Sequence, residues 1–147
     1  MFADASHDNQ GSSSGQATLP RSARLLKPTE FNRVFETNAG STDACFRVIA
    51  RPSRQPETRL GIAVSKKVDK KATARNRIKR VVRESFRLWR ARVSPEDGRS
   101  MDIVVLARPA SATICNRQLY RSLEQHWTRL SQAVDRKFPR NRQIEEN

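Results

Sequence analysis

The sequence has almost no histidine. His7 and His126 are its only two, and Asp69, Glu84 and Asp102 stand scattered among basic residues. A protein nuclease gathers carboxylates around divalent metal or uses histidines as acid and base. Neither constellation is present, nor is a phosphate-cradling glycine loop or a nucleophile signature. If the chain takes part in catalysis, the chemical step resides elsewhere. Cysteine is equally scarce: Cys45 and Cys115 have no metal-ligand spacing. With no basic segment leading into an apolar core at the N-terminus, no secretory signal is expected, and the thiols are expected to stay reduced. No apolar run approaches the roughly 20 residues that cross a bilayer. The cytoplasm is the expected location. Acidic residues are also in short supply, 15 against 29 Lys and Arg, which leaves a net charge of +14. A balance that basic implies a polyanionic partner, and without membrane features that partner is nucleic acid. Nothing in the pattern implies an obligate protein partner.

What the sequence does have is a concentrated block of charge. Residues 59–92 hold thirteen Lys and Arg against Asp69 and Glu84, which is +11 of the total. The second half of this block has helical periodicity, with Thr73 as the expected N-cap. At about 100° per residue, Ile78, Val81, Val82, Ser85, Leu88 and Trp89 gather on one side. Arg75, Lys79, Arg83, Arg87 and Arg90 gather on the adjoining flank. Arg75, Lys79 and Arg83 are successive i, i+4 neighbours, a ridge of like charge that weakens an isolated helix. A polyanion laid along it reverses that cost. The plainer alternative is a solvated basic face.

Around this helix the chain reads as one domain with tails. Residues 1–20 carry no Lys or Arg and include Gly11-Ser-Ser-Ser-Gly15, the composition of a disordered tail. Pro28 suits the first position of a short helix, with Phe31 and Phe35 on one face and Gly40 as its stop. The aromatic pair has two readings, core packing or a stacking surface for unpaired bases. Residues 45–50 read as a strand and residues 59–64 as its hairpin partner, where Gly61 leaves room for a close approach. A weak extra strand is expected near residues 39–43. Residues 101–107 form a nearly continuous apolar run, the mark of a central strand; strand, helix, strand permits a crossover to a parallel neighbour. A last helix starts with Asn116 as cap and presents Leu119, Leu123, His126 or Trp127, Leu130 and Val134 on one face. From residue 136 to 147 the chain is polar and expected to fray.

Arg59-Leu-Gly-Ile-Ala-Val-Ser-Lys-Lys-Val68, followed by Ala74-Arg-Asn-Arg-Ile-Lys-Arg-Val-Val-Arg-Glu-Ser-Phe-Arg87, resembles the protein subunit of bacterial ribonuclease P. Asp102-Ile-Val-Val-Leu-Ala-Arg-Pro109 resembles that family's last strand. Leu19-Pro-Arg-Ser22 and Glu30-Phe-Asn-Arg-Val-Phe35 resemble its start. The resemblance implies a small α+β two-layer sandwich of order α-β-β-β-α-β-α, spanning residues 21–135. Its four-stranded mixed sheet has a left-handed βαβ crossover, against the usual hand. It implies a catalytic RNA subunit as partner and Mg²⁺ held mainly by that RNA. The substrate is precursor tRNA, whose extended 5′ leader lies in a cleft between the sheet and the first helix. The residues matched to RNA binding are Phe31, Phe35, Lys66, Lys67, Arg75, Asn76, Arg77, Lys79, Arg80, Arg83 and Arg87. Some relatives have an aromatic where Ile49 stands, and alternation puts Phe46 on the other face of the sheet. The rival reading from the residues alone is a non-catalytic RNA-binding protein, such as a ribosomal component. A DNA-binding helix is disfavoured because no dimer heptads flank the basic segment.

Overall fold

The computed structural model describes residues 19–37, 39–92 and 100–139. The expected disordered tail lies outside these residues up to position 18, as do the polar loop expected at 96–99 and the chain end after 139. Three helices and four strands follow one another as α1 (Pro28–Phe35), β1 (Gly40–Thr42), β2 (Phe46–Pro52), β3 (Arg59–Ala63), α2 (Ala72–Arg92), β4 (Met101–Ala107) and α3 (Asn116–Lys137). This is the expected α+β order. Single 3₁₀ turns at Arg21–Ala23 and Pro109–Thr113 precede α1 and α3.

The sheet order is β1-β2-β4-β3. β4 is central, as its apolar run demands, and this overturns the expected β2–β3 hairpin. β2 pairs with β4 antiparallel, while β3 pairs with β4 in parallel, so α2 is the crossover between two parallel neighbours. The loop after β2 carries the chain past β4's position, which leaves β4 paired along both edges, and the helices over the two faces of the sheet bury its side chains on both sides. Along the free edge of β3, the Leu25 amide donates to Leu60 O at 2.9 Å, so the segment before α1 covers part of that edge.

Strand alternation divides the apolar residues between two cores. On one face Phe46, Val48, Ala50, Leu60, Ile62, Ile103 and Val105 pack against α2 and α3. Ile78, Val82 and Phe86 form the i, i+4, i+8 line that α2 brings to this core. Phe86 therefore takes the buried place expected for Leu88, which is 43% exposed on the far side of the helix. Trp127 fixes α3 to α2: its indole N–H donates to Ser85 Oγ at 2.9 Å, and its ring stacks on Trp89 at 5.4 Å. On the other face α1 covers a smaller cluster, Leu25, Phe31, Val34, Ile49 and Val104.

Several boundaries differ from the sequence reading. Leu19 is buried and its carbonyl accepts two hydrogen bonds from the Arg24 guanidinium, so the folded part reaches into the segment expected as tail. Thr73 is inside α2, which begins at Ala72; the Asp69 carboxylate instead accepts the Lys71 amide just ahead of the helix. Asn116 is the first residue of α3 and Cys115 its N-cap. The Asn116 side chain is spent on Arg77. Gly40 starts β1 rather than stopping α1, and it must be glycine because a Cβ there would overlap Val48 O on the paired strand. At the other end α3 continues through Lys137, past the residue where fraying was expected.

Candidate nucleic-acid interface

The α1-facing side of the sheet is built as rows that cross the strands. One row is Arg51, Asp102 and Arg59; the next is Ile49, Val104 and Gly61; the next is Arg47, Leu106 and Ala63. Rows on one face stand about 6.6 Å apart, two residues of strand rise. Helix α1 covers the middle row. Glu30 in its first turn reaches Arg59, while the carbonyl of Arg33 in its last turn accepts Arg51 Nη1 at 3.4 Å. The row of Arg47, Leu106 and Ala63 stays only half covered or exposed. β3 ends on this row, and the chain runs on from it into Lys66 and Lys67, both exposed. The result is an apolar stripe of sheet with a basic rim.

The sequence-derived residues divide into three groups in this setting. Lys66, Lys67 and Arg80 are exposed, and among the described residues no carboxylate pairs with them. Phe35 is 38% exposed, a ring available at the end of α1. The second group is spoken for within the fold. Arg77 donates to the Asn116 side chain at 2.6 Å and to the carbonyls of Ala112 and Ile114 at 3.3 Å, tying α2 to the turn before α3. Arg75 donates to the carbonyls of Asp69 and Lys70 at 3.0 and 2.9 Å, and so holds the Lys66–Lys71 loop onto the first turn of α2. Arg87 pairs with Glu84 at 2.7 Å. The third group is buried or half-buried: Lys79 is 4% exposed, and Asn76 and Arg83 are half-buried. The continuous ridge of like charge expected at Arg75, Lys79 and Arg83 is thus not a free ridge. Its members lie nearer the core because Phe86 shares their side of the helix.

Phe31 also differs from Phe35. It is 8% exposed, and its ring lies over Gly61, so close that a Cβ built there would stand 2.5 Å from the ring Cζ. The close approach that Gly61 allows is made by this protein's own side chain. Sequence reasoning passed over Arg47, Arg51 and Leu106, although alternation along β2 and β4 would have put them on the α1 side with Ile49 and Val104.

A Ser–His–Asp arrangement sits on the opposite face. His126 is fully buried, with Nδ1 2.9 Å from Ser41 Oγ and Nε2 3.1 Å from Asp43 Oδ1. The Asp43 carboxylate already accepts the amides of Cys45 and Phe46 and the Ser122 hydroxyl. The ring is a brace between β1 and α3, in agreement with the packed role expected for it. Burial pushes the Asp43 carboxyl up, but the Ser122 and Phe46 hydrogen bonds and the His126 ring 3.1 Å away outweigh it and hold the group below its usual 3.8. A carboxylate depressed in the folded state adds stability above its unfolded pKa and loses it as pH falls through the folded value. Thermal melts between about pH 6 and pH 2 are therefore expected to show an acid limb for the native chain. Asp43→Asn starts less stable at pH 6 and has a flatter limb; parallel curves would mean the brace carries no charge.

Among the described residues no group of three or more His, Cys, Asp or Glu is disposed to hold a metal ion. Nor is any described helix long and apolar enough to cross a membrane.

The comparisons with known proteins decide the family. A family model described as Ribonuclease P matches residues 19–131. The chain belongs to the ribonuclease P protein family. It is 46% identical over 109 residues to the ribonuclease P protein component of Methylococcus capsulatus, covering 74% of this chain and 81% of that one. The corresponding protein of Thioalkalivibrio sulfidiphilus is 41% identical, over 77% of this chain and 90% of that one. The solved ribonuclease P protein of Staphylococcus aureus superposes with a TM-score of 0.65 at 30% identity, covering 72% of this chain and 93% of that one. As a member, the chain is the protein subunit of a tRNA-processing ribonucleoprotein nuclease, and its partner is the ribonuclease P RNA.

Proposed function

We propose that this ribonuclease P protein grips the extended 5′ leader of precursor tRNA while bound to the catalytic RNA, and that the RNA carries out the cleavage. The observation that carries the reading is the sheet row of exposed Arg47 and half-covered Leu106 and Ala63, which runs into exposed Lys66 and Lys67 and has an exposed Phe35 at the end of α1. An apolar floor with an aromatic and a basic rim suits single-stranded RNA, because bases stack on π-faces while phosphates meet cations. On this reading the Mg²⁺ that the family resemblance implies is held mainly by the RNA, where it would activate water and stabilise the leaving oxygen. What the protein adds is substrate affinity and a positive field that lowers repulsion between two polyanions. A cytoplasmic location fits this role.

The test compares precursor and mature tRNA on the assembled holoenzyme. Phe35→Ala is expected to weaken precursor binding by about 1–3 kcal/mol, the usual contribution of one stacked base, and to leave mature tRNA unchanged. Lys66→Gln with Lys67→Gln is expected to weaken precursor binding and lower its salt slope by about 1.4, roughly 0.7 for each phosphate contact on a single strand. Equal losses for both RNAs would show that these residues hold the RNA subunit and not the leader. A protein that binds ribosomal RNA in preference to a single catalytic RNA would favour the rival reading.

A further inference from the structure

A second cationic site stands at the other end of the same sheet face, beyond α1. A cavity of about 300 Å³ is lined by Lys27 and Arg33 of α1 and its cap, Arg51 of β2, Arg54 of the following loop, and Glu30, Arg59 and Asp102. The floor of this cavity is already neutralised in part. Arg59 donates to both oxygens of Asp102 at 2.9 Å and to Glu30 at 2.9 Å, so one cation serves two carboxylates. The four remaining cations have no carboxylate partner among the described residues. Arg33 and Arg51 are half-buried, and the Arg51 guanidinium donates to the Arg33 carbonyl at 3.4 Å. Net charge at the cavity is +3, drawn from three separate segments of chain.

The walls are built, not merely crowded. Ser53 N donates to Ser100 O at 2.9 Å, Ser100 Oγ donates to Gln55 O at 2.7 Å, and Met101 N donates to Thr58 Oγ1 at 3.1 Å. These bonds hold the β2–β3 loop against the start of β4 and keep Arg54 beside the cavity. Four cations gathered this way repel one another, and among the described residues no carboxylate pairs with them. Guanidinium groups present forked donors that match phosphate oxygens in geometry as well as charge. A single phosphodiester carries one charge and leaves the excess unmet, whereas a chain of phosphates spreads several charges over the same length.

The geometry points to this cavity as a binding site for an oligophosphate, held by Lys27, Arg33, Arg51 and Arg54. Two sources share that chemistry: a free oligophosphate anion, or the 5′-terminal triphosphate of an unprocessed transcript. The site uses none of the residues assigned to the leader grip.

The experiment titrates sodium tripolyphosphate into the full-length protein without RNA and reads binding by calorimetry and the rise in Tm. A ligand that binds the folded chain raises Tm with concentration. Lys27→Gln with Arg54→Gln, both on exposed side chains that the fold does not depend on, is expected to weaken binding about tenfold or more, since charge-assisted hydrogen bonds are lost. Arg117→Gln with Arg121→Gln, exposed on α3, removes the same charge elsewhere and is expected to change binding less than about twofold. Equal losses from both pairs would mean diffuse attraction to a basic protein, and absence of saturable binding would mean no site; either overturns the proposal. Because this arm contains no tRNA, its failure leaves the leader reading standing. A second arm gives the holoenzyme precursors with identical leaders that end in 5′-triphosphate or 5′-hydroxyl. A preference for the triphosphate that disappears in the Lys27→Gln, Arg54→Gln protein supports the site with the transcript as source. No preference, with tripolyphosphate binding intact, supports the site with a free oligophosphate as source.

Discussion

Phe31→Ala is expected to lower folding stability by about 3–5 kcal/mol, the cost of removing a packed phenylalanine side chain and leaving a cavity. The expectation rests on the small core beneath α1. Phe31 packs there with Leu25, Val34, Ile49 and Val104. Little is available to fill the space, because α1 has only two turns, Val34 is already fully buried and Leu106 borders the cluster from a sheet row that is fixed in place. Gly61 gives the prediction a second handle. A methyl there would stand 2.5 Å from Cζ and 2.7 Å from Cε2 of the ring, so Gly61→Ala alone is also expected to destabilise. In the double variant the new methyl enters the space the ring has left. The two losses are then less than additive, a coupling that contact between the residues requires. Urea melts of the four proteins measure it. A Phe31→Ala loss below about 1 kcal/mol, with precursor binding weakened selectively, would put the ring in the leader path instead.

The contrast between Phe31 and Phe35 shows how far periodicity could take the reading. An i, i+4 spacing puts both rings on one side of α1, and that much was legible. It does not say that the helix crosses the sheet over Gly61, which buries one ring and leaves the other at the rim. That follows from the β3–β4 pairing, and strand order is set by contacts far apart in sequence. The same limit explains the hairpin. Residues 45–50 and 59–64 read as strands because β-branched and apolar residues alternate there. Only the demand of β4 for neighbours on both sides separates them.

Charge was legible as a total and illegible as a distribution. Thirteen cations in residues 59–92 pointed to a polyanion, and the chain's family agrees. Yet Arg75 and Arg77 turn to backbone carbonyls, and Arg87 and Arg90 pair with Glu84 and Glu57. A guanidinium has five donors and a long stem, so the same residue can hold a loop or hold RNA. What decides is whether an acceptor lies within reach, and for Arg77 that acceptor is 39 residues away in sequence. Lys66, Lys67 and Arg80 stay exposed because they sit at a turn and on the outer side of α2.

Arg59 is the clearest case of a cation that serves the fold, and its replacement carries the other large expected effect. Arg59→Gln is expected to destabilise the protein by about 3–5 kcal/mol at neutral pH, the range for breaking one side of a buried ion pair. Asp102 is 3% exposed and sits in the central strand, so it cannot turn to water when its partner is lost. The hydrogen bond to Asp102 is the main reason the Arg59 guanidinium is held above its usual pKa, so it stays charged throughout. Glu30 responds to pH. Burial pushes its carboxyl up, but the Lys27 and Leu26 amides and Arg59 together hold it below 4.5. Its stabilising contribution is therefore complete above that value and fades as pH falls through the lowered one. Without Arg59 part of the depression is gone, and the variant has less to lose in acid. The stability gap between native protein and Arg59→Gln should then narrow between about pH 5 and pH 2. Adding Asp102→Asn to Arg59→Gln removes the stranded charge and should recover part of the loss at pH 7. Chemical denaturation across that pH range checks all three statements. A gap below about 1 kcal/mol at pH 7, or one that does not change with pH, would show that the Glu30–Arg59–Asp102 cluster is a solvated pair like those on the surface.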